Sequence, residues 1–293
     1  MHLVQFGAER IAKGLSLAGS GGPLYWEPFV GVVVETEVGW VLLDTGMGRP
    51  ALDDPRNADA YAAAAAAYGQ APDGDQPDGD LAGERPDGTW HLHPEPPAGA
   101  RWTWGWPGDP LEAGLAEVGL HPRDLVLAAV SHLHLDHSGG IPTLAAAGVP
   151  VAVQRAELEF ARSGLPGLGD GYHAPDWSDP RTRWELLDGD AELAPGVLAL
   201  STPGHTPGHM SYAVDLPETG RWIFAADAAD LAQNLYDRTP PGTCAGGTPA
   251  DEQAARESLE RLLAEARTRR ARLVPGHDQV VLNAVRAPAD GHR

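Results

Sequence analysis

Short apolar runs that stop at histidine or aspartate constrain this chain more than any other feature. Residues 125–130 are apolar and run into SHLHLDHSGG at 131–140. Residues 197–200 run into STPGHTPGH at 201–209. Residues 222–226 end at Asp227, and 273–274 lead through Pro275-Gly276 to His277. A short apolar run bounded in this way reads as a buried strand. The loop at a strand end is a usual seat for functional side chains. Packing alone gives no reason to crowd His132, His134, Asp136 and His137 together. A pair of divalent cations does, because neutral imidazole and carboxylate are the ligands that zinc, iron, cobalt and manganese accept.

The local pattern sorts these residues further. In an extended loop His132 and His134 lie two apart and project to the same side, so both suit one metal. Asp136 and His137 follow where the chain turns, before Gly139-Gly140 and a helix expected at 141–147, and suit a second. Proline and glycine around His205 fix a tight loop. His209 repeats the Thr-Pro-Gly-His pattern, but one histidine there suffices for a metal. His205 is assigned that role, and His209 a supporting one.

The order His-x-His-x-Asp-His, then His, then Asp, then His resembles the metallo-β-lactamase superfamily. SHLHLDHSGG, TPGHTPGH, the Asp227 segment and PGHD most resemble its N-acyl homoserine lactonase branch. The resemblance covers residues 25–48 and 109–285 and implies a four-layer αβ/βα sandwich, two mixed β-sheets flanked by helices. It further implies that His132, His134 and His205 hold one metal, that Asp136, His137 and His277 hold the other, and that Asp227 bridges. Two divalent ions are expected, zinc before iron, cobalt or manganese. The implied activity is hydrolysis of a lactone, as in quorum quenching, or of a related ester, by a hydroxide shared between metals. Asp136 would relay a proton to the leaving alkoxide. The alternatives are a hydrolase of another cyclic ester or thioester in secondary metabolism, or a metal-binding member that does not hydrolyse.

One position departs from the branch. Its members carry a tyrosine three residues after the bridging aspartate, and this chain has Asp230. An ionised carboxylate cannot stabilise an oxyanion, whereas a protonated Asp230 can donate a hydrogen bond. Otherwise a hydroxyl such as that of Tyr236 takes over, or the substrate differs.

Charge narrows the partners. The chain has 41 acidic against 21 basic residues, a net of −20. Such a field repels phosphate backbones, so no nucleic-acid partner is expected. Lys13 is the sole lysine, which disfavours a lysine-lined site for an anionic thioester. No run approaches the length of a membrane span and no leader-like segment opens the chain, so a cytoplasmic protein is expected. Cys244 stands alone, which excludes an intrachain disulfide. The 293 residues read as one domain with an insertion at about 50–108.

That insertion begins with an alanine-rich helix over 59–68 and continues through an acidic Pro/Gly-dense stretch to Trp90, His91, His93, Trp102, Trp104 and Trp106. The tryptophans suit a lid over an apolar or aromatic substrate, or they pin the insertion to the body, or they make a homodimer contact. Asp44, in Asp-Thr-Gly after the strand at 40–43, either supports the metals or caps a turn. Residues 11–28 read as a Gly-rich loop, and 163–183, with Tyr172, His173 and Trp177, as a second pocket loop. A long amphipathic helix is expected over 251–270.

Overall fold

A computed structural model describes residues 1–21, 24–69, 100, 102–164, 171–244, 247–285 and 291–293. Seven strands form the first sheet: β1 (His2–Ala12), β2 (Leu24–Thr36), β3 (Gly39–Leu43), β4 (Thr103–Gly105), β5 (Leu125–Ala129), β6 (Val151–Gln154) and β7 (Trp184–Leu187). Their order is β4-β1-β2-β3-β5-β6-β7, antiparallel from β4 to β3 and parallel from β3 to β7. The second sheet holds β8 (Ala191–Ala194), β9 (Val197–Ser201), β10 (Met210–Leu216), β11 (Gly220–Phe224) and β12 (Arg272–Val274). It runs β12-β11-β10-β9-β8, with only the β11–β12 pair parallel.

Side-chain alternation along the strands explains the layering. Val32, Val34, Val41 and Leu43 face the second sheet and pack with Tyr212, Val214, Trp222 and Phe224. Val33 and Leu42 point the other way, into a cluster with Leu115, Leu133, Ile141 and Leu144 from the helical side. Strands buried on both faces read as continuous apolar runs, as 30–34 and 41–43 do. On its outer face the second sheet meets Leu259 and Leu262 of the helix Pro249–Arg269. That helix starts in a capping box, in which Thr248 and Asp251 satisfy each other's backbone amides. The result is two mixed sheets face to face with helices outside each, the expected four-layer sandwich.

Two expectations change. Residues 11–28 are largely strand, because β1 and β2 pair in antiparallel register from His2↔Val33 to Ala12↔Leu24. The tryptophans of the insertion that fall in the described residues do not form a lid. Trp102 is buried and stacks on Tyr61, its carbonyl accepting from Arg10 N, and Trp106 donates its indole N–H to the Gln5 carbonyl at 3.0 Å. They anchor the edge strand β4 to β1. Trp90, His91 and His93 lie outside the described residues. Among the described residues no helix is long and apolar enough to cross a membrane.

Candidate metal centre

Both sheets present strand ends at one edge of the sandwich. β5 ends at Ala129 and delivers Ser131 to His137, and β9 ends at Ser201 and delivers His205 and His209. β11 leads to Asp227 and β12 to His277. The edges are tied together where Met210 N donates to the Ser131 carbonyl at 2.9 Å. Two quartets result: His132, His134, His205 and Asp227, and Asp136, His137, Asp227 and His277. Within each, the ligand atoms lie within 4.8 Å of one another. All seven sequence-assigned positions therefore meet, and Asp227 alone belongs to both quartets.

The outward ring nitrogens settle which nitrogen faces inward. His205 Nδ1 lies 3.2 Å from the Thr243 carbonyl and His277 Nδ1 lies 3.1 Å from the Pro28 carbonyl. A carbonyl only accepts, so each Nδ1 carries a proton and each Nε2 is the atom left facing inward. His137 is held likewise, with Nδ1 at 3.1 Å from Asp44 Oδ2. The two inward atoms, His137 Nε2 and His277 Nε2, then stand 3.3 Å apart. Across the other quartet His205 Nε2 faces His134 Nδ1 at 3.0 Å, and His132 Nε2 is buried with no partner. Ring nitrogens and carboxylates converging in a buried pocket call for positive charge among them, as protons or as a metal cation. The donor set, five imidazoles and two carboxylates, is one that divalent metal ions accept.

Electrostatics point the same way. Burial alone would raise the Asp227 carboxyl, yet His137, His277, His132 and His205 hold it well below the usual range. Burial would depress His137, but Asp136, Asp227 and Asp44 push it well above the ordinary histidine value. The pocket draws positive charge to itself.

Behind the ligands stands a set of buried supports. Asp44 adopts φ 60° and is 6% exposed. Its Oδ1 accepts from Ser131 N at 2.6 Å and Tyr212 OH at 3.1 Å, while Oδ2 orients His137. Of the two roles open to Asp44, the structure favours support of the histidine loop. His209 also supports. Its Nδ1 donates to the Thr202 carbonyl at 3.0 Å, so Nε2 accepts from Asp227 N at 3.1 Å and holds that loop.

Burial, then His205, pushes the pKa of His209 down to about 3 from 6.5. The unfolded chain binds a proton below about pH 6.5 that the folded chain refuses, so stability is full above that pH and drains as pH falls towards 3. The expected slope is about 1.4 kcal/mol per pH unit for this group. Urea denaturation of metal-free protein at about pH 7 and pH 5 measures it, and His209→Gln should flatten the difference by about that slope.

Sequence reasoning missed Glu157. It sits on the helix Arg155–Arg162 and is fully buried. Its carboxylate accepts from Leu133 N at 3.0 Å, Gly208 N at 3.1 Å and Tyr172 OH at 2.9 Å, clasping both histidine loops. Gly208 is required there, because a Cβ would meet Glu157 N at 2.2 Å. The available signal was a carboxylate on the same helical face as the buried Leu158 and Ala161.

A cavity of about 910 Å³ opens over the centre. His134, Asp136, His205 and Asp227 floor it. Ile11, Leu15, Ala60, Ala64 and Pro240 give it an apolar side, and Tyr172 from the second pocket loop also reaches it. Tyr236 does not. It is 89% exposed on the helix Ala232–Asp237, so it cannot stand in for the tyrosine missing at Asp230. Asp230 lines the cavity, and burial, then Asp227 and Glu27, raises its carboxyl well above the ordinary range. Cys244 is half-buried on the cavity wall, and burial with Asp251 and Glu252 pushes its thiol up to about 11, which leaves it inert.

Known proteins resemble this chain in sequence and in fold. Residues 29–277 match the Metallo-beta-lactamase superfamily. An N-acyl homoserine lactonase from Bacillus sp is 34% identical over 164 residues, 56% of this chain and 60% of that protein. The N-acyl homoserine lactonase AttM of Agrobacterium fabrum is 32% identical over 167 residues, 55% and 61% of the two chains. The chain thus spans about 60% of the length of the curated relatives it matches. A crystal structure of B. thuringiensis AiiA, as a variant with N-decanoyl-L-homoserine at its active site, superposes with TM-score 0.73 at 24% identity, covering 97% of this chain and 95% of that one. The fold is therefore common to both. An N-acyl homoserine lactone hydrolase with N-hexanoyl-L-homoserine bound at its catalytic metal centre gives TM-score 0.72 at 25% identity, covering 97% and 95%. Strand order, the converging histidines and these matches agree: the chain belongs to the metallo-β-lactamase superfamily and is similar, within it, to N-acyl homoserine lactonases.

Proposed function

We propose that this chain is a metal-dependent hydrolase that opens a lactone or a related ester. His132, His134 and His205 would hold one divalent ion, Asp136, His137 and His277 a second, with Asp227 shared between them. The observation that carries this reading is the pair of inward Nε2 atoms of His137 and His277, 3.3 Å apart beside Asp136 and Asp227, with both outer nitrogens already committed. Two divalent ions, zinc first among those this donor set suits, supply an acidified water and positive charge for the carbonyl and leaving oxygens. The names of the similar relatives support a lactone as substrate.

The chain's own residues do the rest. The apolar side of the cavity takes the substrate's hydrocarbon part and excludes water from it. Tyr61 brings the insertion to the cavity, which fits a single domain with residues 50–108 inserted. The Asp136 carboxylate borders both the centre and the cavity, 3.0 Å from His137 Nε2 through Oδ2. It is placed to accept a proton from the nucleophile and return it to the leaving alkoxide. Asp136→Asn keeps the shape and an oxygen ligand but loses the base. Turnover should fall by about 10²-fold or more, well beyond the loss of metal. Metal content and rate measured on the same samples decide this, and a parallel loss of both would remove the proton-transfer role.

The test of the whole reading pairs metal analysis with a lactone panel, native protein against His132→Ala. Two metals per chain, with lactone opening lost in the variant, are expected. Two metals with no lactone opened would move the substrate to another ester class.

A further inference from the structure

One wall of the cavity plays no part in hydrolysis as described. Glu9 on β1, Glu27 on β2 and Asp230 all line it, and they are 8%, 3% and 4% exposed. Glu9 accepts from the Tyr61 hydroxyl, and Glu27 from the Tyr25 and Ser16 hydroxyls, in each case at a single oxygen. Asp230 Oδ1 is buried and has no hydrogen-bond partner. The positive charges acting on these three groups are the His277 ring and, for Asp230, the His137 ring as well, with no lysine or arginine among them. Arg256 lies on the same cavity but sits 3.6 Å from Glu252.

An acceptor left unsatisfied in the interior costs about 1–3 kcal/mol, and more if charged. Glu9 and Glu27 pair across β1 and β2, which sets two of the three carboxyls side by side. Such a wall fits a ligand that brings positive charge and N–H donors. A bare metal ion is the poorer fit. Among the described residues, His, Cys, Asp and Glu ligand atoms converge within 4.8 Å in two groups, and Glu9, Glu27 and Asp230 belong to neither. Carboxyls spread along a wall suit a larger cation with several donors.

We propose that Glu9, Glu27 and Asp230 form a subsite for an organic cation, a protonated amine carried by the substrate. The proposal rests on the hydrolase reading for what reacts, and independently of it for what binds. The apolar lining of the same cavity would take the chain that links the ammonium group to the scissile ester. Asp230, which stands where related enzymes have tyrosine, then serves specificity by presenting its unpartnered oxygen to the cation.

The test uses the full-length, metal-loaded protein and two non-hydrolysable lactams, one with an ω-aminoacyl chain and one with an alkyl chain of equal length. Calorimetry should show the amino ligand bound about tenfold tighter or more, with a preference that shrinks as salt is added. Asp230→Asn and, separately, Glu27→Gln should each lower the ratio of the two affinities severalfold. The alkyl lactam is the internal reference in every sample. Equal affinities in the native protein, or a ratio unaltered in both variants, overturns the subsite. So does a third metal equivalent that disappears in Asp230→Asn. The corresponding lactones are assayed in parallel. An amino preference with neither lactone opened keeps the subsite and removes the hydrolase reading.

Discussion

Replacing Asp227 with alanine should empty both halves of the centre at once. Asp227 is the only residue common to both quartets. Its Oδ2 lies 3.2 Å from His205 Nε2, and its Oδ1 lies 3.1 Å from both His137 Nε2 and His277 Nε2. On the proposed two-ion reading, removing it takes a ligand from each ion and the negative charge that offsets them. Single-histidine variants should behave differently. His205→Ala strips one quartet and His277→Ala the other, so each should retain about one metal per chain, while Asp227→Ala retains almost none. Hydrolysis should fall by roughly 10³-fold or more in Asp227→Ala, beyond the about 10- to 100-fold typical of partners that only orient ligands. Metal analysis after gel filtration, with lactone turnover on the same fractions, reads both. Full metal content in Asp227→Ala would contradict the shared-ligand assignment.

Glu157→Ala should be the most destabilising change away from the ligands. The carboxylate satisfies Leu133 N, between His132 and His134, and Gly208 N, next to His209. Truncation leaves two buried amides without an acceptor, on the two loops whose positions define the first quartet. At about 1–3 kcal/mol each the loss should be about 3 kcal/mol or more, which is a fall in Tm of roughly 6–10 °C for a chain of this size. Metal affinity should drop about 10- to 100-fold, as for other partners of metal ligands. Glu157→Gln keeps one carbonyl acceptor and should fall between native and alanine. Thermal denaturation and a chelator competition separate the two effects. An unchanged Tm in Glu157→Ala would show that water replaces the carboxylate without cost.

The strand ends and the seven converging side chains were legible in the sequence because their signals are local. A two-residue spacing puts His132 and His134 on one side whatever the rest of the chain does, and Pro-Gly pairs confine His205 and His277 without distant help. The supports were not legible. Asp44 reaches Ser131 across 87 positions, and the His277 ring meets the Pro28 carbonyl across 249. Such partners depend on sheet register, which no short window encodes. The same holds for the insertion. Its tryptophans read as lid, anchor or dimer contact until β4 paired with β1 and placed Trp102 on Tyr61.

By itself, then, the sequence carried the ligand motifs, whose spacing acts over a few residues, and the family resemblance resting on those motifs implied the fold class. Tertiary structure alone decided what surrounds them: Glu157 between the histidine loops, and Glu9 and Glu27 on the cavity wall. Those carboxylates lie on separate elements, and only sheet pairing and the packing of a helix on the histidine loops bring them around the centre and remove the water that would otherwise screen them.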